Sequence, residues 1–363
     1  MKLNNKLLAH MRAATRHLMH RSPVDTSKVI EDALKNASAL TQAAQQQMRG
    51  MSQPPAQGTP VDMHEMLAQL GRGLGSGAAA NEPAPLLPGS FSAGSFANAA
   101  GGRDYKLYVP STYSGKPSAL VVMLHGCTQD PDDFAKGTQM NVLAEEMGCL
   151  VVYPAQSRQA NASRCWNWFN NIDQQRDRGE PSIIAGITRK IMDEYAVDAN
   201  QVYVAGLSAG GAMATIMGTL YPELYAAVGV HSGLPFASAH DLPSALAAMK
   251  GDFRRQQQPG QPIPIIVFHG DQDKTVHPAN GDELVAPARD SAEAMAVEPG
   301  RVPNGHAYTR TTHKRADGRV HAEHWLIHGA GHAWSGGSAH GSYTDGRGPD
   351  ASREMMRFFR TQR

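Results

Sequence analysis

The stretch from Tyr203 to Met217, YVAGLSAGGAMATIM, changes character at its middle. Val202 to Ala205 suits a strand, with its β-branched and aromatic residues, and the Ala/Met/Ile-rich run after it suits a helix. Between them stands Gly206-Leu207-Ser208-Ala209-Gly210. Gly-x-Ser-x-Gly alone is a weak signal, so its structural setting has to decide what it means. A sharp strand-to-helix reversal would hold Ser208 in a strained conformation with its hydroxyl exposed above the sheet. The flanking glycines would let crossing chains pass closely. The plain alternative is a serine in an ordinary Gly-rich turn.

The surrounding texture favours the first reading. "SFANAAGGRDYKLYVP" reads as two short strands around Ala99-Ala100-Gly101-Gly102. "SALVVMLHG" is nearly continuous in apolar residues, as a strand buried on both faces should be. A helix near Asp132 to Met147, the strand "CLVVYPA" and a helix from Pro181 to Tyr195 follow. Beyond the serine come the strands "AAVGVHSG" and "IPIIVFHG", and late in the chain "EHWLIHGAGH". Buried strands separated by helices predict an α/β fold with a mostly parallel sheet, and such sheets gather their chemistry at the carboxyl ends of the strands.

A serine hydroxyl needs a positioned base, itself oriented by an acid. "VFHGDQDKTV" offers Asp271 and Asp273 just beyond a strand end, and "IHGAGHAW" puts His332 in a glycine loop after the last strand. Taken singly, these are a solvated turn carboxylate and a loop histidine; in this order, all at strand ends, they form a set. Acyl transfer also needs two backbone N–H groups for the developing oxyanion. Ala209, after the nucleophile, and Cys127, after the strand ending at Leu124, are the candidates.

Composition narrows the alternatives. The chain has 363 residues, 41% hydrophobic and 18% charged, with a formal net charge of +1. Near-neutral charge gives no reason to expect nucleic acid as a partner. No run of about 18 apolar residues exists to span a membrane. Cys127, Cys149 and Cys165 lack Cys-x-x-Cys spacing, which argues against a zinc ribbon or redox pair. His324, His328 and His332 recur every four residues, which on a helix would make a metal face. The run alternates like a strand and meets Gly329 and Gly331, so no metal site is expected. No glycine-rich run continues into Lys-Ser or Lys-Thr, which argues against a phosphate loop.

Residues 1–49 read as a basic helical segment. Leu3, Leu7, Met11, Ala14 and Leu18 recur every three or four positions among Lys6, Arg12, Arg16 and Arg21. Residues 3–19 suit peripheral contact with a lipid or granule surface, and they lack the continuous apolar core of a secretory signal. Residues 50–90 shift to Pro, Gly, Ala and Gln, as a linker does, leaving 91–363 as the catalytic domain.

From Phe91 to Phe359 the chain resembles the polyhydroxybutyrate depolymerase family of esterases. "LHGCTQDPDDFAKGTQMNVLAEEMGCLVVYPAQS", "CWNWFN", "GLSAGGAMA" and "VHSGL" carry the resemblance. It implies an α/β-hydrolase fold, Ser208 as nucleophile and no cofactor. The family's His-Gly-x-x-Asp-x-x-Val motif falls on His269 to Val276 and selects Asp273; Gly-x-Gly-His-x-Trp places the base at His332. Cys127 and Cys165 flank family motifs, which implies a disulfide fixing the oxyanion loop, with Cys149 left as a core residue. The resemblance also puts Trp166 beside the serine as a substrate wall, with Trp168 and Phe169 facing the core. The implied substrates are short-chain polyhydroxyalkanoate or its oligomers. Because the family includes them, feruloyl and acetylxylan esterases are the alternative, and a non-catalytic binding protein on the same scaffold is another. Secreted members that degrade crystalline polymer carry a further binding domain. This sequence ends on "ASREMMRFFRTQR" and shows no secretory signal, so the expectation leaves soluble oligomers and a cytoplasmic or granule-associated location open beside secretion.

Overall fold

The computed structural model describes residues 86–252 and 263–362. The basic segment expected over 1–49, with its surface-contact stretch, and nearly all of the expected linker lie outside the described residues.

A hairpin opens the described chain: β1 (Ser90–Asn98) and β2 (Gly101–Val109) turn at Ala99-Ala100. The buried apolar run forms β3 (Ser118–Leu124), and α1 (Pro131–Thr138), α2 (Met140–Met147) and β4 (Leu150–Pro154) follow. The single helix expected near Asp132 to Met147 is thus two. The Gly137 and Thr138 carbonyls, which a continuous helix would pair internally, accept instead from Ser338 N–H at 2.9 Å and Ser352 Oγ–H at 2.6 Å. Gln139 takes up the break in the left-handed region, φ 54°.

A short 3₁₀ turn (Asn171–Gln174), α3 (Gly179–Glu194), β5 (Val197–Leu207) and α4 (Ala209–Leu220) lead through the serine turn. Then come β6 (Ala227–His231), α5 (Leu242–Met249), β7 (Ile265–Gly270) and α6 (Ala279–Asp290). The strands β8 (Ala294–Arg301), β9 (Ala307–Lys314) and β10 (Val320–Ile327) precede two-residue strands β11 (Trp334–Ser335) and β12 (Thr344–Asp345), and α7 (Ala351–Phe359) closes the chain.

The ten-stranded sheet has the order β1-β2-β4-β3-β5-β6-β7-β10-β9-β8. Its middle six strands, β4 to β10 in that order, are parallel, and an antiparallel pair flanks each side. Helices cover both faces, because each parallel strand needs a crossover that packs back onto the sheet. Alternate residues feed two cores. Leu120, Val122 and Leu124 join the core under α3 to α6, while Val121 and Met123 join the one under α1, α2 and α7.

Helix α7 shows why the second core holds. Met355, Met356, Phe358 and Phe359 point inward while Arg353 is exposed, and the Phe359 ring stacks on Tyr203 at 4.7 Å. Phe358 is 0% exposed, so Phe358→Ala should destabilise the protein by about 3–5 kcal/mol, measured by urea unfolding. A cost under about 1 kcal/mol would mean that α7 is not a core element.

Candidate active site

Strand β5 ends at Leu207, and Ser208 turns the chain into α4 with φ 58° and ψ −120°. That is a strained conformation for a residue with a side chain, held here from both sides. The Ser208 N–H donates to the His231 carbonyl at 2.9 Å, and its own carbonyl accepts from Ala212 at 2.9 Å. The glycines are required by close approach. A methyl on Gly210 would sit 2.0 Å from the Leu124 carbonyl, and one on Gly206 would sit 2.3 Å from the Gly210 carbonyl. The plain Gly-rich turn is not what forms.

Asp273 lies beyond β7 and is 5% exposed; one of its oxygens is 2.7 Å from Nδ1 of His332. Its other oxygen accepts the Thr275 and Val276 N–H groups, both at 2.9 Å. Burial alone would raise this carboxyl's pKa. The charge of His332 and hydrogen bonds from His269 and His332 outweigh burial and hold it well below the usual carboxylate range. An ionised carboxylate can only accept, so Nδ1 of His332 carries the proton and Nε2 is the basic nitrogen. The loop bearing His332 is tight against β7: a methyl on Gly270 would meet the Ala330 carbonyl at 2.3 Å.

The other acid, Asp271, has a different role. It accepts from the Gly329 N–H at 2.8 Å and pairs with His328 Nδ1 at 3.0 Å, pinning the start of the same loop. His324 lies 3.5 Å from Asp282. The three histidines spaced by four therefore each face a separate aspartate. Among the described residues no group of three side chains could hold a metal ion.

Cys127 follows His125-Gly126 and is bonded through sulfur to Cys165; Cys149 is free and buried, its thiol pushed up to about 12 by burial. The loop is held firmly. His125 Nε2 accepts from Gln156 N–H at 3.1 Å, Gly126 N–H reaches Gln129 Oε1 at 3.0 Å, and Thr128 N–H reaches the Ser163 carbonyl at 2.6 Å. Burial lowers the His125 pKa to about 4, so its ring stays neutral as an acceptor. Among the described residues neither the Cys127 nor the Ala209 N–H has an acceptor.

The Cys165 segment is fixed in turn by a buried network. Arg103 binds Gln156 at 2.8 Å and Glu180 at 3.0 Å, while Glu180 accepts the Asn167 N–H at 2.7 Å. Burial, reinforced by the charge of Asp173, raises the Glu180 pKa. Single-sequence reasoning missed this network, because its members come from four separated segments with no shared motif. His231 was missed for the same reason, although it stands at a strand end within "VHSG".

Trp166 requires a correction. It is 0% exposed, its ring 5.7 Å from that of His125. Fully buried, Trp166 offers no surface to a substrate. Trp168 is buried, and Phe169 is half-buried against the same core.

A family model, described as esterase PHB depolymerase, matches residues 103–290. The chain belongs to the esterase PHB depolymerase family. Poly(3-hydroxyalkanoate) depolymerase C of Paucimonas lemoignei is 32% identical over 234 residues, 60% of this chain and 56% of that protein. The chain thus spans little more than half of that relative's length. Feruloyl esterase B of Neurospora crassa is 28% identical over 225 residues, 56% of this chain and 75% of that protein. An acetyl xylan esterase from Aspergillus awamori superposes with a TM-score of 0.59 at 20% identity, covering 74% of this chain and 99% of that one, a likeness of fold. Membership of the esterase PHB depolymerase family makes this a domain of carboxylic-ester hydrolase type on an α/β-hydrolase fold.

The electrostatics of Asp273 give a pH test. Its folded pKa is depressed, so it contributes stability at every pH above its unfolded value, about 4, and loses it as pH falls towards the folded value. The Tm difference between wild type and Asp273→Asn should not shrink from neutral pH down to about 4 and should shrink only below it. A gap that closes already between pH 7 and 5 would mean the carboxyl is not held ionised.

Proposed function

We propose that this chain is a serine carboxylic-ester hydrolase that cleaves short-chain polyhydroxyalkanoate or its oligomers through Ser208, His332 and Asp273. The observation that carries the reading is the buried His332–Asp273 pair at 2.7 Å, on loops at the same sheet edge as the strained Ser208 turn. Ser208 Oγ attacks the ester carbonyl carbon while His332 Nε2 takes its proton. The Cys127 and Ala209 N–H groups stabilise the oxyanion. Collapse breaks the bond to the alcohol oxygen, which leaves with the proton from His332. Water, activated by the same nitrogen, then releases the acid and restores Ser208.

Likeness to a poly(3-hydroxyalkanoate) depolymerase favours a polyester of small hydroxy acids. Likeness to a feruloyl esterase supports a second reading, esters on plant polysaccharide. Product release from polyhydroxybutyrate, hydroxybutyrate oligomers, feruloylated xylan and acetylated xylan compares them directly. Turnover of the xylan esters alone would reject the polyester.

Ser208→Ala and His332→Ala should each lower kcat on a soluble short-chain ester by about 10⁴-fold or more, and adding Asp273→Asn to Ser208→Ala should change little further. Asp273→Asn alone should be far more damaging than Asp271→Asn. The reverse order would move the acid to Asp271. Undiminished hydrolysis by Ser208→Ala would mean a differently built site, and no hydrolysis by wild type would leave the non-catalytic binding protein.

A further inference from the structure

His231 ends β6, between the strand that delivers Ser208 and the strand that delivers Asp273. Its backbone and its ring serve opposite sides of the site. The carbonyl accepts the Ser208 N–H at 2.9 Å, and Nε2 of the ring accepts the Ser335 N–H at 3.0 Å. Ser335 stands three residues beyond His332 and is buried, so without this acceptor its N–H would be left unpaired away from water.

We propose that His231 is a positioning residue that locks the nucleophile turn and the His332 loop into one register, an inference that rests on the triad reading above. The ring is held by two aromatic contacts, stacked on Phe268 at 5.9 Å and on Trp334 at 5.2 Å. The loop segment it holds is anchored on its far side as well. Trp334 N–H reaches the Tyr343 carbonyl at 2.7 Å, Trp334 Nε1 reaches Ser352 Oγ at 3.1 Å, and Ser335 Oγ–H reaches the Pro349 carbonyl at 2.6 Å. The segment is thus held both from its far side and, through the Ser335 N–H, by His231. Nε2 must be unprotonated to accept, which leaves the proton on Nδ1, 3.2 Å from Ser232 Oγ. Burial, aided by the nearby charges of His269 and His332 and opposed by Asp273, lowers the ring's pKa to about 3, so the acceptor persists at working pH. Ser232, the next residue, has φ 49°, a second strained backbone beside the site.

Three variants separate positioning from filling space. Glutamine carries an acceptor at about the reach of Nε2. Asparagine carries one only at the reach of Nδ1, and leucine carries none. His231→Asn and His231→Leu should lower kcat on a soluble short-chain ester about a hundredfold with KM within about threefold, because loop misplacement of an ångström costs that much. His231→Gln should stay within about tenfold of wild type, with an unchanged pH profile. Thermal unfolding of each variant checks folding, and if leucine fails to fold the Gln–Asn pair carries the comparison. Wild-type kcat in His231→Asn, equal losses in Gln and Asn, or a loss confined to KM would each overturn the proposal. Ser208→Ala is run alongside: if it is inactive while the His231 variants keep full rate, only the positioning role falls. If Ser208→Ala is active, the triad reading falls and takes this proposal with it.

Discussion

The Leu124 carbonyl, at the end of β3, lies against the backbone at Gly206 and Gly210, closer than any side chain would allow. The two strands are paired there, Leu124 opposite Gly206, so the chain cannot leave the sheet without crossing this contact. The crossing puts the Ser208 turn against the start of the loop that carries Cys127. The serine proposed as nucleophile and the start of the loop proposed to carry an oxyanion amide are thereby brought together by backbone packing, and the disulfide and the His125 and Gln129 side chains then hold that loop. Widening the contact by one methyl group would move both.

Around that crossing the protein keeps charges buried only where they are paired. Asp273 is ionised in the interior because His332, His269 and two backbone N–H groups surround it. Glu180 is tolerated because Arg103, Gln156 and Asn167 meet it, and that group in turn holds the segment bonded to Cys127. An unpaired buried charge would cost several kcal/mol, so these groups form complete sets. The design separates duties between neighbours: Asp273 orients a ring, while Asp271 orients the loop that carries the ring.

Much of this was legible in the sequence because it rests on local pattern. The buried parallel strands announce themselves as apolar runs, and serine, acid and histidine stand at their ends in order. The hairpin of β8 and β9 gave no such signal; β8 is exposed along most of its length and contains Pro299 and Gly300. The break at Gln139 was hidden because the groups that interrupt the helix, Ser338 and Ser352, lie some 200 residues away. Trp166 shows the same limit. Which way its ring faces depends on contacts such as the one with His125, far away in the chain, which its sequence neighbours do not encode. His231 carries no motif of its own, since its part in the site exists only once β6 lies between β5 and β7.

The most direct test of a Ser208 nucleophile is to find where a serine-directed reagent lands. A fluorophosphonate that abolishes ester hydrolysis should add one phosphonyl group per chain, and peptide mapping by mass spectrometry should put it on Ser208. Complete inactivation with Ser208 unmodified, and the label on another residue, would contradict the account.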